Sequence, residues 1–284
     1  MTEQLQNKVG QAIKLLQQVA RVAPDIELCY SGGKDSDVIL ELARMAGIPF
    51  AAIYKNTTID PAGTIKHCQD NGVEIRQPRI TFFQMIEKHG FPSRWARFCC
   101  SELKEYKIKD TAILGIRREE SRARAKRYQE PIVCRIYGKC SKGSCAKNHV
   151  NQVLPILEWT TADVEEFVME RGIQLHPLYY REDGTLDCSR RLGCLGCPLL
   201  SDRGLGDFKA HPRLVRAWLR AGKIWWDTPR TKPLSAKKWA SDIYEYFVMR
   251  TFHDGISEMV LNKEALFKTD WKAELERYFG VKLE

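Results

Sequence analysis

The stretch Tyr30-Ser31-Gly32-Gly33-Lys34-Asp35-Ser36 indicates how this chain folds. An apolar run at residues 26–30 is typical of a short buried strand, and residues 38–43 have the apolar spacing of a helix. The glycines therefore lie in a strand-to-helix turn, where they let main-chain N–H groups approach a ligand closely. The serines, Lys34 and the N-terminus of the helix all favour an anion. We predict a phosphate-binding loop; the alternative is a glycine turn with a capping serine.

Strand and helix patterns alternate outward from this loop. Apolar residues recur at helical spacing over residues 2–22, and Pro24 is expected to end that helix. Strands are predicted over residues 50–54, 73–75 and 111–116, and helices over residues 61–71 and 82–86. This alternation predicts an α/β fold, a parallel twisted sheet with helices on both faces, whose ligands bind at the carboxyl ends of the strands.

The last third of the chain has a different composition. From Phe208 onward it is rich in tryptophan and has helical patterns, with breaks near Pro229 and Pro233. We predict a nucleotide-binding domain with a metal site over residues 1–200, and a helical C-terminal extension packed on it over residues 201–284. The tryptophans of the extension are expected in its core more often than in contact with nucleic acid.

Composition narrows the classes of function. The formal charge of +9 fits an anionic partner, either a nucleic acid or a nucleotide alone, although a basic solvated surface would have the same charge. No apolar run is long enough to span a bilayer, and the N-terminus lacks the apolar core of a signal peptide. We therefore expect a cytoplasmic protein without membrane contact, in which several of the ten cysteines bind metal.

The loop resembles the S-G-G-x-D-S signature of the PP-loop ATP pyrophosphatase superfamily. The resemblance implies an adenine nucleotide alpha-hydrolase-like fold that holds the pyrophosphate end of ATP and releases pyrophosphate while a substrate is adenylated. The implied nucleotide contacts are Ser31, Gly32, Gly33, Lys34, Asp35 and Ser36. Asp35 is also a candidate for holding Mg²⁺ through water, or for capping the helix. Thr57 and Thr58, at the end of the second predicted strand, are candidate nucleotide contacts or ordinary strand-end residues.

A second segment narrows the resemblance. The residues from Gly115 to Arg124, read as G-x-R-x-x-[EQ/D]-S-x-x-R, are similar to a segment of the phosphoadenosine and adenosine phosphosulfate reductase family. The implied nucleotide contacts are Gly115, Arg117, Ser121 and Arg124, and the implied catalytic residues are Lys34, Asp35, Lys104 and Arg117. Guanidinium groups suit phosphates, whereas a solvated basic helix is the alternative. A P-I-x-x-W-[ST]-x-x-D-V pattern beginning at Pro155 also resembles this family, and its Thr160 and Asp163 predict a helix-capping box.

Two cysteine pairs form the second candidate site. Side chains of adjacent helical residues diverge by about 100°, so Cys99 and Cys100 are badly placed to bind one small ion. They suit two irons of a [4Fe–4S] cluster, to which Cys194 and Cys197 would contribute the other two thiolates. Zinc is the alternative metal, but zinc sites usually combine pairs of ligands separated by two or more residues, which the adjacent Cys99 and Cys100 do not match. The arrangement is similar to the cluster-binding cysteines of assimilatory adenosine phosphosulfate reductases, and Lys104, one turn past Cys100, would direct its charge toward cluster and nucleotide.

A third set of ligands is compatible with Zn²⁺. It consists of Cys134, Cys140, Cys145 and His149, in a stretch rich in lysine, glycine and serine. Zinc would order such a segment, and the alternative is a flexible basic loop with reduced cysteines. Cys188 has no assignment and is a candidate redox thiol, a ligand or a bystander.

The C-terminus departs from the reductase pattern. Sulfonucleotide reductases have an E-C-G-[IL]-H segment whose cysteine attacks the sulfonate, whereas here no cysteine follows Cys197. We therefore predict ATP-dependent sulfur insertion: ATP adenylates an acceptor oxygen, and sulfide or persulfide delivered through the cluster displaces the adenylate. This resembles DNA phosphorothioation enzymes and cluster-containing tRNA thiolases.

The resemblance implies two kinds of partner besides the adenine nucleotide. They are a DNA or tRNA acceptor, and a cysteine desulfurase or another sulfur donor. The sequence does not define the oligomeric state, and a homo-oligomer is compatible with it. Two other functions stay open. One is a phosphoadenosine or adenosine phosphosulfate reductase that releases sulfite with Cys188 or another chain as the source of its nucleophile. The other is a non-catalytic nucleotide- or DNA-binding partner with a structural cluster.

Overall fold

The computed structural model describes residues 1–137, 148–232, 234–252 and 269–283. The chain divides into two compact units, each built from separate segments of the sequence. Unit 1 contains Met1–Asn56, Asp60–Gln77 and Leu103–Gly193, and unit 2 contains Thr57–Ile59, Pro78–Glu102 and Cys194–Glu284. The expected domain boundary after residue 200 stays a prediction, because a compact unit need not be an independently folding domain.

Unit 1 is built around a six-stranded sheet. Its strands are β1 (Ile26–Tyr30), β2 (Ala51–Lys55), β3 (Glu74–Arg76), β4 (Thr111–Ile113), β5 (Ile132–Ile136) and β6 (His149–Val153). Their order in the sheet is β3-β2-β1-β4-β6-β5, and every neighbouring pair is parallel except β5 and β6. The predicted α/β fold with a mostly parallel sheet is therefore confirmed.

The antiparallel edge strand was not predicted. Along β5 the residues alternate between exposed and half-buried, and its sequence Ile132-Val133-Cys134-Arg135-Ile136 contains one charge and one thiol among three aliphatic residues. Such a short edge strand gives a weak signal, because only one of its sides pairs with the sheet.

The helices of unit 1 begin and end where local capping signals stand. They are α1 (Glu3–Val22), α2 (Lys34–Ala46), α3 (Thr64–Asp70), α6 (Arg122–Arg127) and α7 (Thr161–Arg171). Thr2 caps α1, since its side chain accepts from the N–H of Leu5. The predicted capping box is present at α7, where Thr160 and Asp163 bond reciprocally and Gly172 ends the helix in the left-handed region.

The order of the strands fixes where a ligand would bind in unit 1. The chain runs outward from β1 to β2 and β3 on one side, whereas β4, β6 and β5 lie on the other side. The direction of winding therefore changes between β1 and β4, which are parallel neighbours. In open α/β sheets the crevice outside the carboxyl ends of two such strands binds the ligand. The residues that leave β1 and β4 are those of the glycine loop and the segment from Leu114 to Arg117.

Unit 2 is helical. Its helices are α4 (Phe82–His89), α8 (Leu205–Ala210), α9 (Pro212–Asp227), α10 (Ile243–Phe252) and α11 (Trp271–Phe279), and most of α5 (Phe98–Leu103) also belongs to it. Trp218 is fully buried, with its ring 5.2 Å from that of Phe208 and 6.1 Å from that of Phe91. The absence of a side chain at Gly222 leaves room for Phe91, since a Cβ there would lie 2.2 Å from the Phe91 ring.

The helical C-terminal part is as predicted, with one difference among its tryptophans. Trp218, Trp225 and Trp226 are buried, but Trp239 is 49% exposed. Within the described ranges, no helix combines the length and the apolar character that crossing a membrane requires.

Candidate functional site

The glycine loop of unit 1 forms a tight turn between β1 and α2. Gly32 has a φ of +75°, a backbone conformation that favours glycine, and Gly33 precedes the first residue of α2. The hydroxyl of Ser36 donates to the carbonyl of Gly33 at 2.7 Å, and its oxygen lies 3.3 Å from the Ser31 hydroxyl. The main-chain N–H of Gly33 donates to the Ser31 hydroxyl at 3.4 Å. The predicted strand, turn and helix are thus all present.

The loop is packed closely from the outside. A Cβ on Gly32 would lie 3.2 Å from both Leu192 and Thr64, and a Cβ on Gly33 would lie 3.2 Å from the Tyr179 hydroxyl. Only glycine fits both positions without displacement of these neighbours. Thr64 begins α3, whereas Tyr179 and Leu192 come from a segment more than a hundred residues later in the sequence.

Two buried cations share one carboxylate beside the loop. Arg117, 2% exposed, donates from Nε to Asp35 Oδ1 at 2.7 Å, and the Lys34 ammonium lies 3.4 Å from Asp35 Oδ2. Asp35 therefore joins the loop to the residues that follow β4. A buried charge requires a partner, and here each cation has one. An incoming polyanion would have to compete with Asp35 for both cations.

Arg117 is held by further residues that the sequence patterns did not single out. Its Nη1 donates to Glu119 at 2.7 Å and lies 3.4 Å from the Thr161 hydroxyl. Glu119 in turn accepts from the Thr161 N–H at 2.5 Å and from the Thr161 hydroxyl at 3.0 Å. Burial opposes ionisation of Glu119, but its hydrogen bonds with Thr161 and Arg117 outweigh burial and lower its pKa. The guanidinium plane is therefore fixed from two sides.

The other predicted residues of this segment divide by role. Gly115 lies against the loop, since a Cβ on it would stand 2.7 Å from the main-chain oxygen of Asp35. Ser121 caps α6 by accepting from the N–H of Arg124 at 3.1 Å, so its hydroxyl has a structural partner. Arg124 is half-buried and paired with Glu120. Burial lowers its pKa, and the charge of the nearby Arg191 lowers it further.

Tyr179 is the main site residue that sequence reasoning missed. Its hydroxyl accepts from the N–H of Lys34 at 3.1 Å and from the N–H of Leu192 at 3.2 Å. One N–H at the start of α2, expected to be available to phosphate, therefore has a protein partner. The run His176-Pro177-Leu178-Tyr179-Tyr180 carries no motif that would have identified this residue.

A buried polar network supports α2 from below. The Asp37 carboxylate accepts from the Tyr30 hydroxyl, and both of its oxygens lie 3.1 Å from Nε2 of His67. The ring of His67 stands edge-on to that of His176 at 5.9 Å. Burial raises the pKa of Asp37. These contacts fix the first turn of α2 on α3.

The four predicted cluster cysteines all belong to unit 2, and Cys99 interacts with the other three. A hydrogen bond with Cys100, burial, and the neighbouring thiols of Cys100, Cys194 and Cys197 all raise the pKa of Cys99. All four side chains are half-buried. Cys99 and Cys100 lie on α5, as expected, and Cys194 and Cys197 lie in the turn that contains Gly196.

Three contacts hold the turn of Cys194 and Cys197 in place. The N–H of Gly196 donates to Asp207 at 2.8 Å, and the N–H of Leu195 donates to the carbonyl of Ile59 at 2.9 Å. Arg94 donates to the carbonyls of Pro198 and Leu200 at 3.1 and 2.9 Å. The turn is thus fixed against α8, the segment 57–59 and the loop that leads into α5.

Thr57 and Thr58, the candidate nucleotide contacts after the second strand, have hydrogen-bond partners in unit 2. The hydroxyl of Thr57 accepts from the Cys194 thiol at 3.5 Å, and that of Thr58 accepts from the N–H of Phe82 at 2.8 Å. Both threonines belong to unit 2. Lys104 is exposed and follows directly on α5.

The predicted zinc set is described only in half. Sγ of Cys134 lies 3.5 Å from Nδ1 of His149, across the antiparallel pair of β5 and β6. Cys140 and Cys145 lie outside the described residues. Within the described ranges, no three His, Cys, Asp or Glu side chains form a group ready to bind a single metal ion. The zinc site and the iron–sulfur site of Cys99, Cys100, Cys194 and Cys197 therefore both stay predictions.

Comparison with known proteins identifies the family. Residues 25–200 match the phosphoadenosine phosphosulfate reductase domain, which is more than half of the chain. The chain belongs to the phosphoadenosine phosphosulfate reductase domain family. The predicted PP-loop resemblance is thereby confirmed, and membership supports the predicted binding of an adenine nucleotide. The roles of the individual residues stay predictions.

Proteins similar to this chain include several named sulfate adenylyltransferase subunit 2. The protein from Shewanella sediminis is 27% identical over 225 residues, covering 62% of this chain and 70% of the relative. The protein from Brucella ovis is 26% identical over 211 residues, covering 62% and 67%. Among solved structures, the NH3-dependent NAD synthetase from Campylobacter jejuni aligns with a TM-score of 0.41 and 16% identity, covering 60% of this chain and 74% of the synthetase.

Proposed function

We propose that this protein is an adenylating enzyme that binds ATP at the glycine loop and releases pyrophosphate. The arrangement of Lys34, Asp35 and Arg117 beside the loop carries this proposal. Two buried cations and the start of α2 meet at the carboxyl ends of β1 and β4, where an α/β sheet of this order binds its ligand. The relatives are named as subunit 2 of sulfate adenylyltransferase, and this name supports the same class of reaction.

The chemistry follows from this placement. An acceptor oxygen attacks the α-phosphorus of ATP, and the bond to the β-phosphate breaks. Negative charge then builds up on the departing pyrophosphate, where Lys34 and Arg117 would neutralise it. Asp35 keeps both cations in position before ATP enters, and its carboxylate is the candidate for Mg²⁺ once the phosphates bind its present partners. Tyr179, through the N–H of Lys34, would position rather than contact the phosphates.

The four thiols of unit 2 fit an iron–sulfur cluster by their chemistry. Cys99, Cys100, Cys194 and Cys197 would supply the Cys₄ donor set of a [4Fe–4S] group; all four are half-buried, and the other three raise the pKa of Cys99. Such a group would supply electron transfer or sulfur chemistry when bound. The fixed turn around Gly196 would keep two of the ligands in place, and the Thr57 hydroxyl, which accepts from the Cys194 thiol, would donate to Cys194 once it is a thiolate.

For the acceptor we propose a nucleic acid into which sulfur is inserted, as in DNA phosphorothioation or tRNA thiolation. Hydrosulfide would displace AMP from the adenylated acceptor. If a cysteine desulfurase is the donor, a thiol reductant must first release its persulfide sulfur as hydrosulfide and is itself oxidised to a disulfide. The formal charge of +9 supports a polyanionic acceptor. Sulfate is the second candidate acceptor, because the relatives are named for its adenylation.

A reductase that uses Cys188 as its nucleophile has less support. Cys188 is only 2% exposed, and burial raises the pKa of its thiol to about 11. A thiolate is the reactive form, so a buried thiol with a high pKa is a poor nucleophile.

The test is pyrophosphate release from ATP under anaerobic conditions, measured in parallel with duplex DNA plus sulfide, with tRNA plus sulfide, and with sulfate. We expect release in the parent protein and at least a hundredfold loss in Lys34→Ala, whereas Lys66→Ala, a surface lysine paired with Asp70, should keep the parental rate. Bound ATP without any turnover in all three arms would instead identify a non-catalytic nucleotide-binding protein.

A further inference from the structure

One short region of unit 2 carries most of the net charge of the chain. Residues 212–240 contain eight lysine and arginine residues and a single acidic residue, Asp227, so they account for +7 of the formal +9. Seven of the eight cationic side chains are exposed, and Arg216 is half-buried. A uniformly basic protein would spread its charge, so this concentration requires its own explanation.

Four of these cations lie in one row on α9. Arg213, Arg216, Arg220 and Lys223 are spaced by three, four and three residues, which places them within an arc of about 80° around the helix. The buried residues of α9, among them Val215 and Trp218, face nearly the opposite way. Steps of three or four residues correspond to about 4.5–6 Å, and the whole row spans about 15 Å.

Three of the four cations also converge on one place. Arg216, Arg220 and Lys223 line a small cleft of about 90 Å³ together with Ile243, Tyr244 and Leu283. Arg216 is anchored there, because its Nε donates to the carbonyl of Lys282 at 3.2 Å. A rigid cation beside two exposed ones suits a phosphate group more than a mobile carboxylate chain.

The segment after α9 adds aromatic surface to the positive charge. Arg230 and Lys237 lie over the rings of Trp225 and Trp226 at 5.3 and 5.2 Å. Trp239 follows with 49% of its surface exposed. Cations interleaved with an exposed indole ring are the combination with which proteins bind phosphodiester strands and unpaired bases.

We propose that the row on α9 and the residues 230–232 and 234–239, here called the α9 basic face, bind the phosphodiester backbone of a nucleic acid. This inference rests on the proposed function, since it gives the nucleic-acid acceptor a docking surface. A row of about 15 Å covers roughly four nucleotides of one strand at about 3.4 Å of rise each. Regularly repeated phosphates match such a row better than the irregular carboxylates of an acidic protein.

The test is the salt dependence of binding to a fluorescein-labelled 30-base-pair duplex and to labelled tRNA, measured by anisotropy without ATP. The variant combines Arg213→Gln, Arg220→Gln and Lys223→Gln. The matched control combines Lys14→Gln, Arg21→Gln and Lys66→Gln, which removes the same charge from exposed positions in unit 1. A plot of log K against log salt has a negative slope for the duplex, and we expect the magnitude of this slope to decrease by about 2–3 in the variant. The affinity near 0.1 M salt should decrease at least tenfold.

Three results would overturn the inference: equal losses in variant and control, no binding of either nucleic acid by the parent at low salt, or displacement of the duplex by polyglutamate at equal charge. If circular dichroism shows that the triple variant is not folded, Lys223→Gln alone should still decrease the magnitude of the slope by about 0.9. The affinity for ATP, measured by isothermal titration without nucleic acid, should be unchanged in the variant. Loss of pyrophosphate release in the parent would contradict the proposed function and leave the binding result standing.

Discussion

At the scale of single residues, the site is defined by side chains that hold other side chains in place. Asp35 binds two cations, Glu119 fixes Arg117, and Tyr179 accepts from two main-chain N–H groups. Each of them acts on the geometry of the loop before any ligand binds. Preorganised cations neutralise developing charge without rearranging during the reaction, which is why such supporting contacts matter for catalysis.

Tyr179→Phe tests this support directly. The change removes the hydroxyl that accepts from the N–H groups of Lys34 and Leu192. Because both donors then lack this acceptor, we expect the free energy of unfolding to decrease by about 1–3 kcal/mol. The KM for ATP should rise while the affinity for the duplex stays unchanged. Tyr180→Phe is the control, because its hydroxyl accepts from the N–H of Leu175 and not from the loop. Equal KM values for the two variants would contradict the role of Tyr179.

Glu119 gives a prediction for acid stability. Its pKa in the folded protein lies below the ordinary value of 4.5, so its ionised form stabilises the fold above that pH and the contribution is lost as the pH falls through the folded pKa. Because Glu119 is partly solvent-exposed, we expect only about 0.2–1 kcal/mol. Urea unfolding between about pH 5 and pH 3 should show a shallower loss of stability in Glu119→Gln than in the parent. Parallel curves would contradict it.

At the scale of elements, the site depends on the close approach of the β4 exit to the start of α2. A Cβ at position 115 would meet the main-chain oxygen of Asp35 at 2.7 Å, and a backbone atom cannot rotate away. We expect Gly115→Ala to lower the free energy of unfolding by about 1–3 kcal/mol and to weaken ATP binding at least tenfold.

Gly10→Ala is the matched control for this change. Gly10 lies inside α1, and nothing stands within 4 Å of an added Cβ. Alanine is the better helix former, so this variant should gain up to about 1 kcal/mol. Thermal unfolding and isothermal titration with ATP compare the two variants, and a neutral effect of Gly115→Ala would show that β4 can shift without cost.

The elements also show what could be predicted from the sequence. The glycine loop, the ends of α1 and the capping box of α7 were predictable, because each depends on residues a few positions apart. Tyr179 and Leu192 were not, since they reach the loop from a segment far away in sequence and no local pattern announces that contact. The antiparallel strand β5 was missed because a short, half-exposed edge strand has little apolar periodicity. The hydroxyls of Thr58 and Ser121 were predicted to contact the nucleotide. In the structure they accept from main-chain N–H groups at the starts of α4 and α6.

At the scale of the whole molecule, each unit contains one of the two candidate sites. The glycine loop lies in unit 1 and the four thiols in unit 2, so the two can be tested separately. Anaerobically purified protein should contain close to four iron and four acid-labile sulfide per chain, as a [4Fe–4S] group requires. Cys194→Ser should lose most of both, whereas Cys29→Ser, on β1 of unit 1, should keep them. Neither iron nor sulfide in the parent would show that the cluster assignment is wrong.

The way unit 2 is assembled has a consequence for the order of events during translation. Cys99 and Cys100 leave the ribosome long before Cys194 and Cys197, because the stretch of unit 1 that contains β4, β5 and β6 is synthesised between them. For that interval the first pair is a nascent dithiol without its partners, open to oxidation or to premature capture of metal. If the proposed cluster is bound, its assembly has to wait for the emergence of Cys194 and Cys197, and the first pair has to be kept reduced until then.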